Sequence, residues 1–460
     1  MIPFTLREIA KIINGQILNA TGDELVTAPL FIDTREIAEG GIFAAFMGDK
    51  VDGHNFAADA IRGGATAAIL TRDVGVPSIQ VPNVEAALQA FARHLRSILP
   101  NLKVIGITGS QGKTTTKDLL FAILSSVAPT IAPPGSHNND LGVPLTLLRC
   151  SEDTKFCIVE MGARHRGDIA RLAEIAQVDI GAVLNIGTAH IGEFGSSSAL
   201  ARAKGELIEA LKPEAKAILG SYDQPTRDLI ALAKCSVTTF GESSDAEVKG
   251  EQVSLIGGRP NFLLVTAADS REVHLNYYGR HQVANALAAA AIAVELGIKL
   301  SRIADELSTA VPASRWRMEV RERGTDGVTI INDAYNANPE SMAAAIELLA
   351  EWASAEGRPS WAVLGQMREL GASSVQGHQL IGRLVAERGI SHLLVVGAGA
   401  GEILNGVAGM VIADAKSAAD SAAALRYLRA HVEPGALVLV KASRAEGLER
   451  IAQDLASDPS

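Results

Sequence analysis

From Val104 to the end of the chain, short apolar runs alternate with segments whose apolar residues recur every three to four positions. This alternation limits the fold more than any other feature. "VIGIT", "FCIVEMG" and "IGAVLNIG" are followed by the helical stretches "TTKDLLFAILSSV", "DIARLAEIA" and "SALARAKGELIEAL". Apolar strands separated by amphipathic helices specify a parallel sheet covered on both faces. A more β-rich stretch follows, from "SVTTF" through "VSLIG", "NFLLVTA" and "EVHLNYYG", closed by the helix "HQVANALAAAAIAVELG". The alternation then resumes, from "VTIINDA" and "MAAAIELLAEW" to "ALVLVKAS". Ahead of it, "GIFAAF", "TAAIL", "SIQV" and the helix "VEAALQAFARHLRSI" make a smaller α/β unit. The expectation is an α/β chain of three domains. A small N-terminal α/β domain covers 1–99. A doubly wound parallel sheet with an added β-rich part covers 100–312, and a Rossmann-like α/β domain covers 313–460. Such sheets bind ligands at the carboxyl ends of their strands.

The net charge is −10 with no long basic run, which argues against nucleic acid as the main partner. A few local cations still suffice for a phosphorylated small molecule. The three cysteines, Cys150, Cys157 and Cys235, form no CxxC pair, so a zinc site is not expected. Their odd number fits a reducing compartment. "MIPFTLREIAKIING" lacks the basic start and apolar core of a signal peptide, and no apolar run approaches the ~18 residues of a membrane span. The chain is expected in the cytoplasm, as a monomer.

"VIGIT" runs into "GSQGKTTT". A P-loop has Gly, four residues, then Gly-Lys-Ser/Thr, so Gly112-Lys113-Thr114 asks for a glycine at 107; that position is Ile107. The context still suits a phosphate. Glycines let backbone N–H groups approach it, and a helix N-terminus adds partial positive charge. Lys113 would reach the β- and γ-phosphates and Thr114 would ligate Mg²⁺. A glycine turn before a helix, with a stray lysine, is the plainer alternative.

"TGSQGKTTT" resembles the compact loop of the Mur ligases and folylpolyglutamate synthetases, T-G-x-x-G-K-T-[TS], in which Gly109 stands for the missing glycine. "HNNDLGVPLTLL", "VEMGARHRGDIA", "NIGTAHIGEFGS", "AKGEL", "DAYNANPESM" and "VKASR" extend the likeness to the Mur ligase family over nearly the whole chain. The resemblance implies a P-loop-type central domain binding ATP and Mg²⁺. It implies ATP-dependent addition of D-alanyl-D-alanine to UDP-N-acetylmuramoyl-tripeptide through an acyl phosphate. Gly109, Ser110, Gln111, Gly112, Lys113, Thr114 and Thr115 would bind ATP. Glu160 ends an apolar strand at the ligand-facing edge, where a carboxylate can hold a second position on Mg²⁺.

By the same resemblance His190 ligates a second Mg²⁺. Lys204 would be carbamylated by CO₂, and so turned from cation to anion beside the metal. Read alone, Lys204 is a solvated helix lysine and His190 a packing histidine. Asn138 and Asn139 offer amides to the sugar-peptide substrate and its phosphates, or form an Asx turn. Asn285 would meet adenine; Gln282 stands where the family has Asn. Arg317 would reach the ATP phosphates, with Arg315 as the alternative, and Asp333 would hold the ribose. Tyr335, Asn336, Asn338, Ser443 and Arg444 are expected to receive the dipeptide. Pro339 suits the first helical turn. Ala442 and Gln366 replace the family's Gly and Asp, and the second change removes a charge near the proposed amine site. Thr34, Arg35, Asp52, Gly53 and His54 would contact the uridine diphosphate, with Arg35 forking onto a phosphate.

Two other classes remain open. One is a ligase of the same architecture acting on a different Mur substrate or a folate, against which "YNANPES" and "DGHNF" argue. The other is a non-catalytic nucleotide switch, which would not need Glu160, His190 and Lys204 beside the loop.

Overall fold

The computed structural model describes residues 1–48, 51–187, 196–412 and 414–457. These residues build three sheets of four or more strands. The largest has nine strands, in the spatial order Ser270–His274, Arg259–Val265, Val248–Ile256, Ser236–Gly241, Lys216–Gly220, Ile180–Val183, Lys103–Thr108, Phe156–Glu160 and Thr130–Ile131. All neighbours are parallel except the pairs made by Arg259–Val265, which are antiparallel. The β-rich part therefore continues the central sheet. Val248 pairs with Phe240 in parallel register, and a meander completes that edge.

Register places the site. Ile107 lies opposite Glu160, and Thr108 opposite Val183, so the glycine loop, Glu160 and the segment after Val183 leave the sheet at one edge. Val104, Ile105, Ile107, Ile158 and Val159 are fully buried, as a sheet covered on both faces requires. Gly106 and Gly181 face the helix Ser197–Glu209. An added Cβ would meet Leu207 side-chain atoms at 3.3 and 3.1 Å, so the bare strand backbone lets the helix carrying Lys204 lie close. On the other face the alanine-rich helix Gln282–Glu295 packs against the helix Lys113–Ser125.

The C-terminal sheet runs Glu319–Glu322, Thr329–Asn332, Leu437–Lys441, Ser360–Leu364, His392–Val396 and Asp414–Ala418, antiparallel only in its first pair. Asn332 pairs with Val440, and Leu364 with Lys441, so Asp333 and Lys441 end adjacent strands. The N-terminal sheet runs Gln16–Leu18, Ser78–Gln80, Ala67–Leu70 and Ile42–Ala44. Its helix Val84–Ser97 shares a core with the helices Gly142–Leu147 and Asp168–Ala176, and Arg96 anchors it to Asp179 at 3.0 Å. Among the described residues no helix is long and apolar enough to cross a membrane.

Candidate active site

A cavity of about 1020 Å³ opens where the carboxyl ends of the central and C-terminal strands face each other. Its floor is the glycine loop. Gly112 caps the helix Lys113–Ser125 at φ +81°, and a Cβ there would collide with the Asn285 amide oxygen. Glycine is therefore required twice, for a left-handed backbone and for closeness to Asn285. Ser110 accepts the Gly187 N–H at 2.9 Å and Asn185 accepts the Gln111 N–H at 3.0 Å, so the next strand's loop sets the shape of the glycine loop. Gly109 sits behind the cavity wall, against Leu184.

The charges around this loop are unbalanced. The Lys113 ammonium donates to the Gly109 carbonyl at 2.6 Å. Burial lowers its pKa to about 8; Arg317 adds to the fall and Glu160 opposes it. Glu160 is fully buried and accepts from the Thr114 hydroxyl at 3.2 Å through one oxygen; its other oxygen, Oε1, has no hydrogen-bond partner. Burial raises the Glu160 carboxyl, against the pull of Lys117, Lys113 and Arg317. Lys204 lines the same cavity, 3% exposed, and burial followed by Lys113 pushes its amine well below the usual lysine range. A buried charge without partners is costly, so a site this cationic suits a polyanion. The orphan Glu160 oxygen beside Thr114 fits a hard divalent cation. Among the described residues no cage of three carboxylate, histidine or cysteine ligands exists. Mg²⁺ takes few protein ligands and keeps phosphate oxygens and water.

Asn285 gives its amide N–H to Gln282 at 2.8 Å, and both residues line the cavity. The residue that replaces the family's Asn thus orients Asn285. Arg317 lines the cavity with its guanidinium 4.1 Å over the Tyr335 ring, whereas Arg315 is exposed and outside it. The Tyr335 hydroxyl meets Ser136 at 2.5 Å, closing the cavity between the two sheets. Asn138 and Asn139 line the wall while serving the backbone. The Asn138 carbonyl accepts from Gly162, and the Asn139 side chain caps the helix Gly142–Leu147 at 3.0 Å. Asn338 caps the helix Pro339–Glu356 in a reciprocal capping box with Ser341. Asn336 lines the cavity as well.

Other expected residues are engaged within the protein or lie outside the cavity. Asp333 reaches the cavity, but its carboxylate is held by the Met318 N–H at 3.1 Å and by Lys441. Ser443 is buried behind Arg444 and accepts from the Arg368 N–H at 2.9 Å; Arg444 is the one that lines the cavity, its guanidinium 4.1 Å over Trp316. Gln366 lies outside the cavity against Gly399, so its missing charge is not a change in the cavity wall. Thr34, Arg35, Asp52, Gly53 and His54 also lie outside it, at two short 3-10 turns of the N-terminal part, Thr34–Glu36 and Gly53–Phe56. There Arg35 pairs with Asp33. His54 is 2% exposed with both ring nitrogens used, on Asp52 at 2.6 Å and under the Thr71 N–H at 3.0 Å. His54 thus braces the turn from Asp52 through both ring nitrogens. His190 lies outside the described residues.

Sequence reasoning missed Lys441 and His281, which line the cavity, and Lys117, which lies outside its lining. Lys441 is 2% exposed and donates to Asp333 and to the Asn336 carbonyl. A charge closing the apolar run "LVLVK" was the available signal.

A family model described as the Mur ligase middle domain matches residues 107–293. One described as Mur ligase, glutamate ligase domain matches 316–444, and one described as Mur ligase family, catalytic domain matches 29–96. The UDP-N-acetylmuramoyl-tripeptide–D-alanyl-D-alanine ligase of Mycobacterium tuberculosis (strain H37Rv) is 42% identical over 504 residues, covering 100% of this chain and 98% of that protein. The protein of the same description from Escherichia coli K12 is 33% identical, covering 86% of each. Among solved structures, MurF from Acinetobacter baumannii superposes with TM-score 0.88 at 33% identity over 100% of both chains. MurF from Thermotoga maritima in complex with ADP gives 0.81 at 28% identity, over 94% of this chain and 97% of that one.

Proposed function

Because the chain belongs to the Mur ligase family, we propose that it joins D-alanyl-D-alanine to the terminal carboxylate of UDP-N-acetylmuramoyl-tripeptide, converting ATP to ADP and phosphate. The observation that carries this reading is one cavity holding the glycine loop with Lys113, the orphan Glu160 carboxylate behind it, and the strand ends of the C-terminal sheet opposite. The γ-phosphoryl group would pass to the tripeptide carboxylate, giving an acyl phosphate. The dipeptide amine would attack that carbonyl, and phosphate would leave.

Lys113 and Arg317 face the space the phosphates would fill and offset charge as it moves. Thr114 and Glu160 would hold Mg²⁺, which supplies Lewis-acid neutralisation of the phosphoryl oxygens. The Tyr335–Ser136 contact brings the C-terminal sheet over the cavity, which limits water and protects the acyl phosphate. Arg444 and Lys441 supply cationic charge for the dipeptide's carboxylate. Thr34 and Arg35, outside the cavity, would meet the distant uridine diphosphate end. We divide the chain at 1–99, 100–312 and 313–460, in support of which each of the three sheets lies within one of these stretches.

Lys204 is the proposed carbamate. Its depressed pKa, at a buried position lining the cavity, supports this, because a neutral amine adds to CO₂ to give a carbamate anion and a proton, and the product would supply negative charge beside Lys113. Lys204→Ala is expected to lose about 10²-fold or more in turnover. Wild-type turnover should fall on exhaustive removal of CO₂ and return with bicarbonate. Folded Lys204→Ala of full activity, indifferent to bicarbonate, would remove the carbamate.

Phosphate release measured with ATP, Mg²⁺ and the UDP-tripeptide, with and without D-alanyl-D-alanine, tests the reaction. Release that depends on the dipeptide, with a UDP-pentapeptide product by mass spectrometry, is the expected result. Release that ignores the dipeptide, or none, moves the assignment to another acceptor.

A further inference from the structure

Lys117 stands one helical turn beyond Lys113 on the same helix face and is outside the cavity lining. Its side chain is 4% exposed, and its ammonium donates to the Pro133 carbonyl at 3.1 Å and the Gly135 carbonyl at 3.1 Å and forms an ion pair with Asp118 at 2.6 Å. Asp118 is 9% exposed and accepts the Ser314 hydroxyl at 2.7 Å through its other oxygen. Three parts of the site meet on this one buried ion pair. Pro133–Gly135 leads directly into Ser136–Asp140, whose Ser136 touches Tyr335. Ser314 lies three residues before Arg317, on the segment that passes from the central to the C-terminal sheet. Tyr277 holds the start of that segment through the Val311 carbonyl at 3.2 Å.

A buried ion pair is seldom retained for stability, since apolar residues of the same size often serve as well. What apolar residues cannot do is bind two carbonyls and a hydroxyl from different segments. Resting on the ligase reading above, we propose that Lys117 and Asp118 are positioning residues for phosphoryl transfer, holding the loop Pro133–Asp140 and the segment leading to Arg317 in register with Lys113. Neither residue touches substrate; both act through the elements they fix. The predicted signature is a loss in turnover without a loss of nucleotide binding. Lys113 and the glycine loop remain, while Arg317 and the substrate loop lose their alignment.

The test uses the full chain. Lys117→Met alone strands Asp118, so the charges are removed together in Lys117→Met/Asp118→Asn, and Ser314→Ala cuts only the link to the Arg317 segment. In the double variant kcat is expected to fall about 10²-fold, the penalty of a small misplacement of reacting groups. KM for ATP should stay near the wild-type value. Ser314→Ala should lose about tenfold or more in kcat, as one hydrogen bond to a charged group implies. Hydrogen exchange is followed alongside in peptides covering 133–140 and 311–318, which should exchange faster in the double variant while the helix Gln282–Glu295 does not. An unchanged kcat in folded double variant, or a loss confined to KM for ATP, overturns the proposal. Exchange that rises everywhere, or nowhere, also overturns it. If the wild-type chain itself fails to release phosphate in response to the dipeptide, the ligase reading has failed, and the exchange pattern alone decides whether the pair couples these segments.

Discussion

Lys113→Met is expected to lower turnover about 10²- to 10³-fold and to make the protein harder to unfold. The loss follows from removing the cation that faces the transferring phosphate. The gain follows from burial. Lys113 is held to about 8 from an ordinary 10.5, chiefly by desolvation, and that fall corresponds to about 3 kcal/mol of unfavourable burial of its charge. Water reaching the cavity floor reduces the figure. Below pH 8 the amine is protonated in both folded and unfolded chains, and the whole cost is present. Between pH 8 and 10.5 the unfolded chain binds the proton more tightly, so stability contributed by this group rises with pH. Thermal melts of wild type and Lys113→Met should therefore differ most near pH 7 and converge by pH 10. A variant that melts lower at pH 7, or a gap that widens toward pH 10, would contradict the burial account.

Glu160→Gln should be nearly as damaging, for a different reason. The side chain keeps its size and can still meet Thr114, so the fold is not asked to change. What disappears is the anionic oxygen that has no hydrogen-bond partner. The Mg²⁺ concentration for half-maximal turnover should rise about 10- to 100-fold or more. The Lys113 amine should also titrate below its present value of about 8, since Glu160 is the charge that opposes its desolvation. Phosphate release measured across a Mg²⁺ series checks the first. A variant that reaches the wild-type rate at the wild-type Mg²⁺ concentration would take Glu160 out of the metal site.

Much of the architecture was legible because periodicity is a local property. "VIGIT", "FCIVE" and "IGAV" became adjacent parallel strands, and the helices between them were read close to their ends. The β-rich part was read from composition, but its continuity with the central sheet was not, because strand pairing between Phe240 and Val248 is a register fact. Short edge strands such as Thr130–Ile131 carry too few residues to show a pattern.

The site divided along the same line. The glycine loop with Lys113, and Glu160 at a strand end, were visible as motifs because chemistry and neighbouring sequence coincide there. Lys204 needed a family resemblance, since a lysine on a helix looks solvated until Gly106 and Gly181 bring that helix against the sheet. "DGH" shows polar groups at His54 but not that both of its ring nitrogens are engaged within the fold. Lys441 and the carbonyl partners of Lys117 were not legible because Asp333 lies 108 residues from Lys441, and Pro133 16 residues from Lys117.

The alternation of strand and helix and the loop that can cradle a phosphate could be read from the residues alone, since each depends on neighbours within one turn or one strand. Only the tertiary structure decided which charges are buried, which carboxylate oxygen is left without a partner, and which cations share one cavity. Desolvation and Coulomb attraction act through space, and their strength is set by neighbours that the chain brings together from distant positions.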